Sequence, residues 1–200
     1  MTKEIFLDDV KNHQMNILLD NGVFRCIEFR DPKDKGRYFF YLSTIPGRLV
    51  ISGDCGTYVF SRINDMFEFF RGKYIDFSYW ASKADAEDTR GGIRVFNVDK
   101  LKQQLTDNFN DFKDCWPCSK EDEEEFQEEI LDMIEDEHTF VALGSKRLNC
   151  GFEIEPWEYS NVYDVSPRFI WNCYAINWGI DQYDKLSDQS APSDKSEKSC

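Results

Sequence analysis

Asp20-Asn21-Gly22-Val23-Phe24-Arg25-Cys26-Ile27-Glu28-Phe29-Arg30 is the stretch of the chain that decides its fold. The Asn21-Gly22 pair is the strongest short signal for a β-hairpin, because a type I′ turn needs positive φ at both central residues. The flanking runs, Met15–Leu19 and Val23–Arg30, carry many apolar side chains, and the second alternates imperfectly between its two faces. The sequence therefore predicts two antiparallel strands joined by a tight turn.

Further strand signals follow this hairpin as far as Phe60. Arg37–Thr44 is aromatic and β-prone, and Leu49–Ser52 and Thr57–Phe60 are short apolar runs separated by glycine-containing turns. Consecutive strands with short connections are typical of an antiparallel meander. We therefore expect four or five neighbouring strands in the N-terminal part of the chain.

Helical periodicity replaces the strand pattern in most of the remaining chain. The helix near the C-terminus is apolar over most of its circumference, which is typical of a central core helix. Helices are predicted at Thr2–His13, around Ile63–Phe70, at Tyr79–Asp88, at Asp99–Phe112, from Ser119 onward and at Phe169–Leu186.

These patterns predict an α+β fold in which an N-terminal antiparallel β-meander packs against several helices, with a C-terminal buried helix. We expect a single domain over residues 1–186, divided into a charge-balanced part, 1–100, and an acidic helical part, 101–186. Residues 187–200 are rich in Ser, Asp and Lys, and this composition predicts a disordered tail.

The negative charge of the chain is unevenly distributed. Residues 1–100 hold 15 Lys and Arg against 15 Asp and Glu, whereas residues 101–200 hold 9 against 23. Residues 107–164 alone hold 18 acidic residues against four basic ones. An acidic surface of this kind repels nucleic acids and anionic membranes and attracts basic partners. Aromatic residues make up 16% of the chain, which excludes an acidic disordered protein.

The segment that begins at Ser119 is the most acidic of all. Ser119 and Asp122 approximate a capping box, with Asp in place of the usual Glu, and Phe126, Ile130, Met133 and Ile134 form the apolar stripe of the predicted helix. Like charges four residues apart destabilise a helix by about 0.2–0.5 kcal/mol per pair, so something other than helix stability maintains the run. The predicted partner-binding residues are Glu121, Asp122, Glu123, Glu124, Glu125, Glu128, Glu129, Asp132, Glu135 and Asp136.

Two interpretations of this segment remain open. DNA carries one phosphate charge per about 1.7 Å of its axis, and a helix rises about 1.5 Å per residue, so a carboxylate ridge can imitate nucleic acid. The alternative is a solvated helix face that only keeps the protein soluble. Trp116 and Trp157 are interpreted as core residues, or alternatively as anchors of a partner contact.

The cysteines and the N-terminus predict a reduced, cytoplasmic protein. Seven cysteines occur, several of them inside apolar runs, and no signal peptide is recognisable. No window of about 18 apolar residues exists, so no membrane span is expected. Cys115 and Cys118 form a CxxC pair that can bind zinc or form a disulfide, but no second pair accompanies it. We interpret them as incidental residues at a helix–helix connection and predict no metal and no cofactor.

Signals of catalysis are weak throughout the sequence. His13 and His138 stand in no recognisable catalytic context, and Gly53–Thr57 joins two strands without the Lys-Ser/Thr of a phosphate loop. We therefore predict a protein that is not an enzyme. The alternative is a small enzyme or nucleotide-binding protein that degrades or sequesters an anionic signal, in a pocket lined by Arg37, Arg48 or Arg62.

Four blocks carry a family resemblance: Pro46-Gly47-Arg48-Leu49-Val50-Ile51-Ser52-Gly53-Asp54-Cys55-Gly56-Thr57-Tyr58-Val59-Phe60, Asp65-Met66-Phe67-Glu68-Phe69-Phe70-Arg71, Tyr79-Trp80-Ala81-Ser82-Lys83 and Phe169-Ile170-Trp171-Asn172-Cys173-Tyr174-Ala175-Ile176-Asn177-Trp178-Gly179-Ile180. The chain resembles a family of small, acidic, uncharacterised proteins encoded by phages and prophages, over about residues 15–185. The resemblance implies a phage-related genetic context and transfers no catalytic residue.

Resemblance and charge together predict a phage-type inhibitor of a host defence system. The acidic segment is expected to occupy a basic surface of a nucleic-acid-handling host complex, such as a CRISPR effector or a restriction enzyme. The expected partner is thus a basic host protein or nucleoprotein complex, with no direct binding of nucleic acid and no binding of membranes.

Overall fold

The computed structural model describes residues 1–72, 74–159 and 161–190, without the side chains of 187–190. The chain divides into two compact units, Met1–Ile93 with Val165–Cys200, and Arg94–Asp164. These bounds differ from the predicted division at residue 100, because the C-terminal helix belongs with the meander and not with the acidic part. That residues 1–186 form one domain stays a prediction.

The secondary structure of both units is as follows. The strands are Gln14–Asn21 (β1), Phe24–Arg30 (β2), Phe40–Ile45 (β3), Arg48–Gly53 (β4), Gly56–Ser61 (β5), Ala84–Ala86 (β6), Arg94–Phe96 (β7), Lys146–Arg147 (β8), Glu153–Ile154 (β9) and Tyr163–Val165 (β10). The α-helices are Lys3–Asp9 (α1), Met66–Phe70 (α2), Phe77–Ala81 (α3), Val98–Cys115 (α4), Lys120–Phe126 (α5), Glu137–Leu143 (α6) and Pro167–Ser190 (α7). A π-helical turn spans Gln127–Leu131, and a 3₁₀ turn spans Pro156–Glu158.

The first unit is built on a six-stranded antiparallel sheet whose strand order follows the sequence, β1 to β6. Asn21 pairs with Phe24 across the hairpin, so the central residues of the turn are Gly22 and Val23, and of these Gly22, with a φ of 63°, has a positive φ. The hairpin forms as predicted, but the type I′ turn centred on Asn21 and Gly22 is wrong, because that turn needs positive φ at both central residues. The predicted antiparallel meander and the α+β class are thereby confirmed.

Alternating side chains of the sheet form the core of the first unit. Ile27 and Phe29 of β2 and Phe40 and Leu42 of β3 are fully buried, while the residues between them are half-exposed. Phe29 and Phe40 stack with ring centroids 4.7 Å apart. One face of the sheet is therefore covered, and the period-2 pattern of the sequence decides which face it is.

Helix α7 lies on this buried face, which confirms the predicted C-terminal core helix. Trp171 packs edge to face against Phe6 of α1, with centroids 5.3 Å apart. Gly179 allows the helix to approach the sheet, because a Cβ there would lie 2.8 Å from Leu42 Cδ1 and 3.2 Å from Phe29. The helix runs to Ser190, past the predicted end at Leu186, so the prediction of a disordered tail is wrong for residues 187–190. Residues 191–200 lie outside the described residues.

The helix predicted at Tyr79–Asp88 is wrong over most of its length. Only Phe77–Ala81 is helical, and Ala84–Ala86 instead forms β6, which pairs with β5. This pairing satisfies backbone groups at the edge of the sheet, and the carboxylate of Asp85 accepts a hydrogen bond of 2.9 Å from the Ser61 hydroxyl. Tertiary pairing thus overrides the local helical pattern.

The second unit has a separate hydrophobic core. Leu101, Leu105 and Phe109 of α4 are buried, as the predicted helical stripe requires, and Phe109 stacks on Phe126 of α5 at 4.1 Å. Two short strand pairs, β7–β10 and β8–β9, complete it. Within the described residues of both units, no helix combines the length and the hydropathy that a membrane span requires.

Candidate partner-binding surface

The net charge of the protein resides almost entirely in the second unit. Residues 94–164 hold 19 Asp and Glu against 7 Lys and Arg, a net charge of -12. The rest of the chain holds the other 19 Asp and Glu against 17 Lys and Arg, a net charge of -2. The uneven charge that the sequence shows therefore coincides with a structural unit that has its own core.

A capping box starts the acidic helix α5, as predicted. The amide of Asp122 donates to Ser119 Oγ at 3.2 Å, and the amide of Ser119 donates to Asp122 Oδ2 at 2.7 Å. Carboxylates in the first turn also interact favourably with the helix dipole. The acidic run thus begins at a fixed position.

Replacing Ser119 by Ala is expected to lower the free energy of unfolding by about 1 kcal/mol, because an N-cap acceptor is lost. Urea unfolding followed by circular dichroism measures the change. Ser145→Ala is the control, since this exposed serine of the same unit caps no helix. Equal stability of the two variants would show that the cap does not determine where α5 begins.

The acidic run is not one continuous helix. Helix α5 ends at Phe126, the π turn Gln127–Leu131 follows, and a non-helical connection leads to Asp136. Asp136 then starts α6, where its carboxylate accepts a hydrogen bond of 2.8 Å from the Thr139 amide. The predicted ridge on a single helix is therefore wrong beyond Asp132, because this second capping box favours a new helix start.

The π turn also changes which side chains face the core. Phe126, Ile130 and Ile134 are buried, but Met133 is 56% exposed, so its predicted place in the apolar stripe is wrong. The amide of Asp132 bonds to the Gln127 carbonyl at 2.9 Å, which is the i→i+5 spacing of a π turn. The extra residue in this turn places Ile134, and not Met133, against the core.

Several predicted binding carboxylates have partners within the second unit. Glu123 Oε1 lies 2.9 Å from Lys113 Nζ, and Glu129 Oε2 lies 2.6 Å from Lys146 Nζ. All four side chains are between 30% and 52% exposed, so these ion pairs contribute little to stability and a binding partner can replace them.

Other carboxylates of the segment hold its backbone in place. Glu125 accepts hydrogen bonds from the Asn149 amide at 3.1 Å and from Asn149 Nδ2 at 3.0 Å. Asp132 Oδ1 accepts a bond of 2.6 Å from Gln127 Nε2. Hydrogen bonds from its own amide and from Ser119 lower the pKa of Glu121.

Three predicted binding residues have fully available carboxylates. Among the residues that the structure describes, none forms a hydrogen bond or ion pair with the side chains of Glu124, Glu128 or Glu135, and all three are exposed. We define the acidic ridge as Glu123, Glu124, Glu128 and Glu129. These are the exposed glutamates of α5 and the π turn that come after Asp122, the second residue of the capping box.

Two tryptophans of the second unit are exposed, so their interpretation as core residues is wrong. Trp116 is 62% exposed and Trp157 is 68% exposed. Trp116 ends α4 in an extended conformation, and Trp157 lies in the 3₁₀ turn, so neither side chain projects from the buried stripe of a helix. Tryptophan is enriched among residues that dominate protein–protein interfaces, which leaves the anchor interpretation open.

The cysteines of the CxxC pair lie in different environments. Cys115 is exposed at the end of α4, whereas Cys118 is half-buried and its Sγ atom lies 3.7 Å from the Trp116 carbonyl oxygen. All cysteines of the described residues are free thiols. Within the same residues, no three His, Cys, Asp or Glu side chains are grouped so as to hold a metal ion.

The arginines of the alternative interpretation are dispersed. Arg37 borders a cavity that it shares with four carboxylates, Arg48 is paired with Asp85, and Arg62 borders a different cavity beside Lys83. The structure therefore does not bring Arg37 and Arg62 together around one anionic ligand.

The two histidines also lie apart. His13 Nε2 is 3.0 Å from the Tyr38 carbonyl oxygen, and His138 borders a shallow cleft formed by α6 residues. Among the described residues, no hydrogen bond joins either ring to a serine or cysteine side chain. The expectation that the protein is not an enzyme stays a prediction.

Comparison with known proteins gives no further constraint on this surface. No family model matches the chain, and no curated protein sequence matches it. No solved structure matches its fold. The phage-protein resemblance therefore stays an expectation from the sequence.

Proposed function

We propose that the second unit binds a basic surface of a nucleic-acid-handling host protein or nucleoprotein complex, and that the protein thereby inhibits a host defence system. The acidic ridge, with Glu121, Asp122, Glu125, Asp132, Glu135 and Asp136 around it, takes the place of nucleic acid. Occupancy of the site is the whole mechanism, so no bond is made or broken.

The observation that carries this proposal is the net charge of -12 on a folded unit of 71 residues. A flexible acidic chain would lose conformational entropy on binding, whereas carboxylates held by a helix and its core are already ordered. The hydrophobic core of Leu101, Phe109 and Ile130 provides that support.

The geometry of α5 and the π turn supports the same function. Glu124 and Glu128 are one helical turn apart and have no partner among the described residues, so they repel each other in the unbound protein. A cationic surface would relieve this repulsion. Attraction of this kind speeds encounter and weakens as salt is added.

Competition with DNA tests the proposal. A labelled duplex is bound to each member of a panel of purified CRISPR effector complexes and restriction enzymes, and its fluorescence anisotropy is followed as the protein is added. We expect the protein to displace DNA from at least one complex. We expect this displacement to weaken about tenfold or more between about 50 and about 300 mM salt.

Two outcomes would contradict the proposal. Failure to displace DNA from any complex at low salt would favour the solubility interpretation of the acidic surface. Displacement that does not depend on salt would show that apolar contacts, and not carboxylates, occupy the site.

A further inference from the structure

Strand β1 forms one edge of the six-stranded sheet of the first unit. It is eight residues long and pairs with β2 on one side. Among the residues that the structure describes, no further hydrogen bond joins its backbone to another group. Alternate amide and carbonyl groups of β1 therefore point away from the sheet along what we call the free edge. An unpaired edge of this kind is a template for pairing with another strand.

The sequence of β1 lacks two features that usually protect an edge strand from such pairing. Charged side chains, especially Lys, and prolines are the common protection, and residues 14–19 contain neither. A bulge, which also protects edges, falls at Leu18, between Ile17 and Leu19. Residues 14–17 precede it and keep a regular register with β2. This regular segment is therefore suited to pairing with another strand.

A cleft lies beside the free edge, on the face of the sheet that α7 covers. It runs between β1 and α7, and its apolar lining is formed by Met15, Trp178 and Leu186. Ile17 lies on the same face of the strand as Met15, because the two pair with the buried residues Ile27 and Phe29. Ile17 is 36% exposed and Leu186 is 47% exposed. A further strand beside β1 would cover these apolar side chains.

We propose that the protein forms a symmetric dimer in which the free edges of two copies pair as antiparallel strands. The two-fold axis is perpendicular to the sheet, so the same surface of each copy meets the other and the helix-covered faces remain on one side. Residues that face each other then belong to the same face of the strand. The register that pairs the two regular segments places Asn16 opposite Asn16 of the second copy and Met15 opposite Ile17.

The charges at the two ends of β1 favour a second copy as the partner. Lys11 precedes the strand, and Asp20 lies near its other end. Antiparallel pairing brings the start of one strand to the end of the other, so Lys11 of each copy approaches Asp20 of the second copy. The present ion pair of Lys11 with Asp8 has side chains that are 59% and 74% exposed, so exchanging it costs little.

Sedimentation equilibrium of the full chain at physiological salt measures this association. We expect the average mass to rise from one chain towards two between about 1 and about 500 µM, because a small interface gives a weak dimer. A mass of one chain over this whole range would overturn the proposal, including the case in which a different protein pairs with the free edge. The dimer involves the first unit alone and does not depend on the proposed binding function.

Two matched substitutions locate the interface. Asn16→Lys places like charges opposite each other at the two-fold axis, so we expect it to weaken the dimer about tenfold or more. Asn64→Lys adds the same charge at an exposed position of the first unit outside β1, and we expect it to leave the dimer unchanged. Circular dichroism checks that both variants are folded. Equal dimerisation of the two folded variants would show that the free edge is not the interface.

A crosslink tests the register. Directly opposed residues of antiparallel strands have Cα atoms about 4.5–5.5 Å apart, which is within the range of a disulfide. With diamide as the oxidant, we expect Asn16→Cys to form a disulfide-linked dimer faster than Asn64→Cys or the native protein does. Equal rates for all three proteins would show that the two strands do not meet at Asn16, contrary to the proposed pairing.

Discussion

Replacing Asp65 by Ala is expected to lower the free energy of unfolding by about 3–5 kcal/mol, because it leaves a buried guanidinium without its carboxylate. Arg25 is only 8% exposed on the inner face of the sheet. Its Nη1 and Nη2 atoms donate to the two carboxylate oxygens of Asp65 at 2.9 and 3.0 Å. Bidentate pairing of this kind is the strongest arrangement available to an arginine.

Asp65 has a second role, which adds to the expected loss. Its Oδ1 atom accepts a hydrogen bond of 3.0 Å from the Phe67 amide and so caps helix α2. The Arg25 guanidinium also lies 4.6 Å from the centroid of the Phe67 ring. One carboxylate thus neutralises a buried charge and fixes the helix that covers it.

The same pair makes stability depend on pH in a known direction. Burial acts to raise the pKa of Asp65, but hydrogen bonds from Arg25 and from the Phe67 amide outweigh this effect. The pKa of Asp65 in the folded protein is therefore lowered. A lowered folded pKa stabilises the protein above the unfolded value of about 3.9, and this stabilisation is lost as the pH falls through the folded pKa. We expect this acid-dependent loss to be absent from the Asp65→Ala variant.

Urea unfolding of matched variants measures these effects. Asp85→Ala is the control, because Asp85 also pairs with an arginine, Arg48, but both side chains are at least 41% exposed. The control is expected to lose less than about 1 kcal/mol. If Asp65→Ala were no less stable than Asp85→Ala, burial of the Arg25 pair would not matter for stability.

Local signals were sufficient to predict the meander and the core helix. Asn21-Gly22 identifies the first hairpin, and the largely apolar circumference of α7 identifies a core helix. Arg25 carries a signal too, since it alternates in phase with Ile27 and Phe29 and therefore needs a buried anionic partner. No local pattern indicates that the partner lies 40 residues away at Asp65.

The features that the sequence did not predict depend on contacts between distant residues. β6 becomes a strand because β5 offers a free edge, although its own three residues carry almost no strand signal. The hydrogen bonds from Asn149 to the carboxylate of Glu125 likewise join residues 24 positions apart. For the candidate site, the sequence predicted the capping box and the concentration of negative charge. It did not predict the π turn or the exposure of Trp116, because both depend on how α4 and α5 pack.

Neutralising the acidic ridge is the second large effect that we expect. The variant Glu123→Gln/Glu124→Gln/Glu128→Gln/Glu129→Gln removes four charges while preserving side-chain size. Each of the four carboxylates is expected to form one exposed ion pair with the host complex, and each such pair contributes about 0.5 kcal/mol to binding. Losing all four weakens binding by about 2 kcal/mol, which corresponds to roughly 30-fold weaker displacement of DNA. The anisotropy competition at low salt measures this change in any host complex that the native protein inhibits.

A matched variant separates the position of these charges from their number. Four exposed carboxylates of the first unit are replaced in the control, Asp8→Asn/Asp34→Asn/Glu68→Gln/Asp181→Asn, so that both variants have the same net charge. Long-range attraction alone would weaken both variants equally, whereas a contact made by the ridge weakens only the first. Circular dichroism checks that both variants are folded. Removing the repulsion between Glu124 and Glu128 slightly favours the helix, while losing the exposed ion pairs of Glu123 and Glu129 costs little stability. If the ridge variant, still folded, displaced DNA as well as the control does, its carboxylates would not be the ones that imitate nucleic acid.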